Sequence, residues 1–194
     1  NYVIQDGVLT AYNGWQRHLT IPDEVVEIAD GVFRGKNIRT VVFPEGLLKI
    51  GDEAFQDCRS LYYMELNDGL QEIGQYAFDG CSMLAAAFLP PKVTTIENGT
   101  FRDCTSLNRV KLPAGLTAIN GNAFYGCTEL TEIVIPDSVT YIGRSAFSAC
   151  AYLQEIVLGR GMTEIVENTF EECFPKRISY LIILHILMKM RLIN

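Results

Sequence analysis

A phrase of about 23 residues recurs along this chain and restricts the folds that are open to it. Its most regular column is a Phe, spaced by 22 residues once and by 23 residues five times: Phe33, Phe55, Phe78, Phe101, Phe124, Phe147 and Phe170. An Ile lies five residues before every one of them. A fixed period of about 20–50 residues indicates a repeat architecture, in which single units are too small to fold alone and bury their apolar faces against their neighbours.

Each repeat contains a short strand that ends at a turn. Apolar residues at relative positions zero, three and five finish in the alternation of a strand, as in "LTEIVI" at 130–135. Pro often follows, and because it has no amide proton it cannot continue a strand ladder. The sequence therefore predicts a solenoid of about seven 22–23-residue repeats with short parallel strands.

The six cysteines occupy a second strict column at intervals of 23 residues: Cys58, Cys81, Cys104, Cys127, Cys150 and Cys173. Equivalent side chains in stacked coils lie about 4.8 Å apart and parallel, whereas a disulfide needs Cβ atoms about 3.8 Å apart that face each other. There is no C-x-x-C pair, and only His18 and His185 could complete a metal site. We therefore predict that the cysteines and the Phe column form a buried structural ladder with no cofactor or metal; disulfides and a metal site are the alternatives.

The phrase "VTYIGRSAFSACAYLQEIVL" at 139–158 resembles the BspA-like leucine-rich repeats of bacterial and protozoan surface proteins, and the resemblance extends over about residues 19–173. It implies a right-handed leucine-rich-repeat-like coil with a parallel sheet. It also implies a secreted or cell-surface protein that acts in cell adhesion or protein binding. No secretory signal precedes Asn1, so the expected extracellular or cell-surface location comes from the resemblance alone.

The chain is predicted to divide into a cap, an array and an irregular end. Residues 1–21 contain Asp6-Gly7 between two β-rich runs, which predicts an N-terminal hairpin cap, and Trp15 is expected to help cover the first coil. Residues 22–173 form the repeats.

Residues 174–194 lack the repeat phrase and are predicted to form an irregular C-terminal strand or cap. Their apolar, basic tail is shorter than the roughly 20 residues of a transmembrane helix, so no transmembrane helix is expected. A membrane-surface segment, a partner-binding segment and an aberrant end are the alternatives.

The net charge of the chain argues against nucleic-acid binding, and its motifs argue against catalysis. The formal net charge is −7, and a nucleic-acid-binding protein needs a basic footprint. His18 and His185 lie near opposite ends of the chain, so no Ser-His-Asp or Cys-His arrangement is indicated, and phosphate-binding loops are missing from the sequence. We expect a protein that is not an enzyme.

The outward strand residues are the remaining place for recognition. They combine aromatic and charged side chains, a mixture typical of protein interfaces. The predicted partner-binding residues are Tyr62, Tyr63, Glu65, Phe88, Arg109, Lys111, Glu132 and Val134. The expected partner is an extracellular or host protein; a glycan stacked on the tyrosines and a purely structural spacer are the alternatives. Phe88 and Val134 also suit any sheet surface.

Overall fold

The computed structural model describes residues 1–163 and 165–173, and the backbone of residues 177–180. These residues form no helix, and nothing in them is a helix able to cross a lipid bilayer. They form sixteen short strands: β1 Tyr2–Gln5, β2 Val8–Tyr12, β3 His18–Thr20, β4 Glu27–Ile28, β5 Thr40–Val42, β6 Lys49–Ile50, β7 Tyr63–Glu65, β8 Glu72–Ile73, β9 Ala86–Phe88, β10 Thr95–Ile96, β11 Arg109–Lys111, β12 Ala118–Ile119, β13 Glu132–Val134, β14 Tyr141–Ile142, β15 Glu155–Leu158 and β16 Arg177–Tyr180.

The strands stack as a β-solenoid of about seven turns, which confirms the predicted fold class. Strands β3, β5, β7, β9, β11, β13 and β15 follow one another along one side, and β4 to β14 (the even-numbered strands) follow one another along a second. The pairing is parallel and joins equivalent residues of adjacent coils, as Val41 opposite Leu19 and Met64. The sequence period is therefore the length of one coil.

The third side, which we call the phenylalanine side, is held by a different hydrogen-bond pattern. The amide of Phe55 donates to the carbonyl of Ala77 at 2.8 Å, and the amide of Asp57 donates to that of Asp79 at 2.7 Å. Residues two positions before and two positions after each central Phe have positive φ: Gly31, Glu53, Tyr76, Gly99, Asn122, Ser145 and Asn168 before it, and Gly35, Asp57, Gly80, Asp103, Gly126, Ala149 and Glu172 after it. Every coil thus carries two left-handed residues at this side.

The Phe rings form a continuous stack through the core. Neighbouring centroids are 4.8–5.6 Å apart, and neighbouring rings are inclined by 5–17°. The six rings from Phe33 to Phe147 are fully buried, and Phe170 is half-buried at the last described coil. Stacked aromatic pairs add about 0.5–1.5 kcal/mol each beyond the burial of their area.

The six thiols follow the stack and donate hydrogen bonds to it. Each Sγ lies 2.8–3.2 Å from the carbonyl oxygen of a Phe in the preceding coil, as Cys104 does from Phe78. Five thiols are buried, Cys173 is half-buried, and all six are free. Burial raises the pKa of Cys58 to about 12, and it raises the pKa of Cys104 well above its usual range.

Two tyrosines end the stack at the N-terminus. Strands β1 and β2 form an antiparallel hairpin whose turn residues, Asp6 and Gly7, both have positive φ. The hairpin places the Tyr12 ring 5.3 Å from that of Phe33, and the Tyr2 ring 5.1 Å from that of Tyr12.

The prediction that Trp15 helps to cover the first coil is wrong, since its side chain is 88% exposed. Tyr12 already covers the ring of Phe33, and Tyr2 in turn covers Tyr12, so no further aromatic residue is needed there. The hydroxyl of Tyr2 donates to the carbonyl of Thr20 at 2.9 Å, which fastens the hairpin to the array. The boundary at residue 21 stays a prediction.

At the C-terminal end, β16 pairs in parallel with β15 and places Ile178 opposite Ile156. Of the predicted segment 174–194, residues 174–176 and 181–194 lie outside the described residues, as does His185. The role of this segment stays a prediction.

Candidate binding face

The side of the solenoid built by β3 to β15 presents one ordered set of outward side chains, which we call the odd-strand face. It comprises the first and third residue of each odd-numbered strand from β3 to β15, together with the residue just before each strand. The middle residues point inward, and Leu19, Val41 and Ile133 are at most 2% exposed. Because strand side chains alternate, a buried middle residue leaves its two neighbours in solvent.

Aromatic side chains occupy the centre of this face. Tyr63 on β7 is 51% exposed, Phe88 on β9 is 56% exposed, and Tyr62 is exposed just before β7. The hydroxyl of Tyr63 donates to the Glu65 carboxylate at 3.1 Å. This hydrogen bond and the carboxylate charge raise the pKa of Tyr63.

Basic side chains follow on the next strand. Arg109 and Lys111 on β11 lie in register with Ala86 and Phe88. The guanidinium carbon of Arg109 is 6.0 Å from the centroid of the Phe88 ring, at the outer limit of a cation–π contact. The structure therefore brings Phe88, Arg109 and Lys111 together.

The last two predicted residues belong to a separate, acidic end of the face. Glu132 and Val134 on β13 lie in register with Glu155 and Val157, and Val134 is 60% exposed. Strand β13 belongs to a different hydrogen-bonded sheet from β11 in the described structure. The predicted residues thus form an aromatic centre, a basic strand and an acidic end, in that order along the solenoid.

Three further residues occupy equivalent positions and were missed in the sequence. Arg17 and Arg39 precede β3 and β5, as Tyr62 precedes β7, and Val42 is equivalent to Glu65. All three are exposed. Applying the same repeat columns to the first two coils would have found them.

Four cations on the other sides of the solenoid have carboxylate partners, whereas Lys36, Lys92, Arg144 and Arg160 have none within 4.0 Å among the described residues. The pairs, with their N···O distances, are Arg34 with Glu53 at 2.7 Å, Lys49 with Glu27 at 3.1 Å, Arg59 with Asp57 at 3.1 Å, and Arg102 with Asp103 at 3.2 Å. Each of these pairs neutralises its own cation within the surface.

None of the described cations of the odd-strand face is paired in this way. Arg17, Arg39, Arg109 and Lys111 lie within 4.0 Å of no carboxylate among the residues that the structure describes. Their charged groups are therefore available to a partner, beside exposed aromatic rings.

A polar depression over the even-numbered strands is a weaker candidate. It has a volume of about 440 Å³ and includes Lys49, Asp52, Glu72 and Glu97 in its lining. Small-molecule sites are mostly apolar, and this wall is charged. In the part of the chain covered by the structure, no three residues of metal-binding type are grouped for an ion.

Comparison with known proteins places these features in a family. The family model for the BspA type leucine-rich repeat region matches residues 11–131 and 87–187, in six copies. Among the curated proteins, none is similar enough to count as a relative.

Solved structures of bacterial leucine-rich repeat proteins are similar to this chain. A leucine-rich cell surface protein of Faecalibacterium prausnitzii A2-165 is 31% identical, with 81% of this chain and 52% of that chain covered and a TM-score of 0.63. The T. pallidum leucine-rich repeat protein is 25% identical, with 100% and 92% covered and a TM-score of 0.62. A leucine-rich repeat protein of Bacteroides ovatus is 26% identical, with 84% and 48% covered and a TM-score of 0.63. This chain thus spans about half the length of the first and third of these proteins.

Proposed function

We propose that this chain, which belongs to the BspA-type leucine-rich repeat family, is a non-enzymatic protein-binding module of a secreted or cell-surface protein. The observation that carries the proposal is the odd-strand face, where exposed aromatic rings and unpaired cations stand on stacked strands. Its partner is an extracellular or host protein, and binding that partner serves adhesion.

The division between interior and surface supports this function. The Phe, Cys and Ile columns are used to hold the coils together, whereas Tyr63 and Phe88 have no comparable packing role. Exposing two large aromatic side chains to water on neighbouring coils is unfavourable, and such residues are the usual anchors of protein interfaces. Repeat proteins commonly bind through an extended face of this kind.

The similarity to a Faecalibacterium prausnitzii cell surface protein supports a surface location. Adhesion requires a face that stays accessible while the rest of the protein is anchored or joined to other domains. A face running along the side of the solenoid meets this requirement, because neither end of the stack has to be free.

The test compares two double variants in binding to immobilised extracellular-matrix and host-surface proteins. Tyr63→Ser with Phe88→Ser removes the aromatic centre. Tyr141→Ser with Tyr152→Ser removes two tyrosines that are similarly exposed but lie off the odd-strand face. We expect the first variant to lose binding and the second to keep it, with both unfolding near the wild-type temperature.

Equal binding by the two variants would refute the placement of the site. A glycan array run in parallel tests the carbohydrate alternative, in which Tyr62 and Tyr63 serve as stacking platforms. Binding to glycans without binding to proteins would overturn the proposed function.

A further inference from the structure

We infer that the partner of the odd-strand face is a protein segment that combines acidic and apolar residues and lies across strands β3 to β11. This inference rests on the proposed function and specifies the chemistry of the partner. It follows from the sign of the charge, its lack of internal neutralisation, the apolar groups beside it and the length of the face.

The odd-strand face has the opposite sign to the molecule that carries it. The chain has a formal net charge of −7. From β3 to β11, however, the face holds four cations, Arg17, Arg39, Arg109 and Lys111, and one carboxylate, that of Glu65. A basic surface on an acidic protein attracts an acidic partner and orients it towards that surface.

The cations of the face are not neutralised by carboxylates of the described chain, so they can pair with a partner. Arg34, Lys49, Arg59 and Arg102 pair with carboxylates, whereas Arg144 and Arg160, which also lie off the face, have no such partner among the described residues. No described carboxylate is placed to pair with Arg109 or with the other three cations of the face. Their guanidinium and ammonium donors can therefore form charge-assisted hydrogen bonds to the carboxylates of a partner.

Apolar side chains among these cations indicate a protein segment rather than a uniform polyanion. Val42, Tyr63 and Phe88 are each more than half exposed and lie between the cations of β3–β5 and those of β11. A sulfated glycan or a nucleic-acid backbone would gain little from Val42 and Phe88. The carboxylate of Glu65, near the centre of the face, would repel a continuous row of negative charge.

The length of the face sets the length of the segment. Five strands at about 4.8 Å spacing extend over roughly 19 Å, which an extended chain covers in about six residues. The segment runs along the solenoid axis, across the strands. The segment is recognised by side chains. The backbone amide and carbonyl groups of the middle strands bond to the neighbouring coils or point towards them, so they do not face the segment.

The experiment measures binding of a synthetic peptide that repeats the triplet Glu-Glu-Leu. Peptides repeating Glu-Glu-Ser and Lys-Lys-Leu, together with heparin, are the comparison ligands. The test variant is Arg109→Glu with Lys111→Glu. The matched control is Arg144→Glu with Arg160→Glu, which makes the same change of net charge at two exposed cations off the face.

We expect wild-type protein to bind the Glu-Glu-Leu peptide more tightly than any comparison ligand. The test variant should weaken that binding by about tenfold or more, and the control variant by less than about twofold, because only the former places like charges against the peptide. Raising the ionic strength should reduce the difference between them. Far-ultraviolet circular dichroism and thermal unfolding check that all variants remain folded.

Several results would overturn the inference. They are no binding of the Glu-Glu-Leu peptide, equal weakening by the two charge-reversal variants, or tighter binding of heparin than of the peptide. The proposed function is tested separately, by measuring binding to the matrix and host proteins. If Tyr63→Ser with Phe88→Ser abolishes their binding while Arg109→Glu with Lys111→Glu leaves it unchanged, the function stands and the acidic partner does not.

Discussion

Two residues beside every core Phe hold a left-handed backbone conformation, and this feature decides which substitutions the solenoid tolerates. Glycine adopts positive φ at little cost, whereas other residues are destabilised there by about 1–2 kcal/mol. Ten residues other than Gly nevertheless occupy positive φ in the described chain, nine of them in these two columns. The array therefore contains strain that single substitutions can relieve or increase.

Gly35→Ala should destabilise the fold by about 1–2 kcal/mol, because Gly35 has a φ of 67°. A Cβ at this position meets no atom within 4 Å, so the loss reports backbone conformation rather than a clash. The reverse change at an equivalent position, Ala149→Gly, should be neutral or stabilising by up to about 1 kcal/mol, since Ala149 has a φ of 57°. Urea unfolding measures both, and a stabilising Gly35→Ala would contradict the assignment.

The buried thiols make stability sensitive to alkaline pH. In the folded state burial raises the pKa of Cys58, Cys81, Cys104 and Cys127, to about 12 for Cys58, whereas an unfolded thiol titrates near pH 8.5. The unfolded chain therefore loses its thiol protons first. The stability that these groups contribute is complete below about pH 8.5 and is lost as the pH rises towards 12.

Cys104→Ala removes one such thiol and the hydrogen bond that it donates to Phe78 at 3.2 Å. At neutral pH we expect a loss of about 1–2 kcal/mol. Above about pH 9, the unfolding free energy of the variant should fall less steeply than that of the wild type, by about 1.4 kcal/mol per pH unit. Urea unfolding across this range provides the measurement, with Ser106→Ala as a control whose slope is unchanged. Parallel slopes for wild type and Cys104→Ala would show that the thiol already ionises in the folded state.

The sequence predicted a residue feature only where a column of the repeat contains the same residue type from coil to coil. The Phe and Cys columns do so, and their period was sufficient to predict the coil. The left-handed column before the Phe contains Gly, Glu, Tyr, Asn and Ser, and the one after it contains Gly, Asp, Ala and Glu, so neither column repeats one residue type. The thiol hydrogen bonds follow from the positions of Phe carbonyls in the preceding coil, which cannot be placed without the backbone.

At the scale of elements, one pair of neighbouring coils in the described structure has no hydrogen bonds between its strands on either side. Strands β11 and β13 also lie in different sheets, but their coils are joined by the pairing of β12 with β14. No backbone hydrogen bond links residues 62–73 with residues 85–96, so β7 and β9 lie in different sheets, as do β8 and β10. The same two coils remain joined on the phenylalanine side, where Phe78 donates to Thr100 at 2.9 Å. This seam passes between Tyr63 and Phe88, through the centre of the odd-strand face.

We predict faster amide exchange along this seam than at equivalent positions of the next coil. The amides of Ala85 and Glu97 donate no hydrogen bond within the described structure, whereas those of Asn108 and Asn120 donate to Ala85 and Ile96 at 3.1 and 2.8 Å. Hydrogen exchange followed by nuclear magnetic resonance should show Ala85 and Glu97 exchanging at least about tenfold faster than Asn108 and Asn120. Equal protection at the two pairs would mean that the seam is closed in solution.

The sequence could predict the strands of this region but not the seam between them. Met64 and Ala87 occupy the same apolar column as Val41 and Ile133, so the repeat phrase continues without interruption. Whether neighbouring strands reach hydrogen-bond distance depends on small displacements between coils. The N-terminal hairpin was predictable, because Asp6-Gly7 is a local turn signal, whereas its closure by Tyr2 and Tyr12 depends on contacts across the fold.

At the scale of the whole molecule, repetition separates stability from recognition. Identical inward columns provide the coil interfaces, and outward positions of the same strands vary freely from coil to coil. The candidate site could be predicted where alternation was clear, as at Tyr63 and Phe88. That its cations lack carboxylate partners in the described chain became evident only in the structure, because ion pairs such as those of Arg34 and Arg102 join residues far apart in sequence.

The most direct measurement of the central claim is hydroxyl-radical footprinting by mass spectrometry, on the free protein and on its complex with a captured extracellular protein. Our account predicts that Tyr62, Tyr63 and Phe88 become protected in the complex. The exposed tyrosines off the face, Tyr141 and Tyr152, serve as internal references and should react equally in both states. Protection of Tyr141 and Tyr152 with unchanged reactivity at Tyr63 and Phe88 would contradict recognition through the odd-strand face.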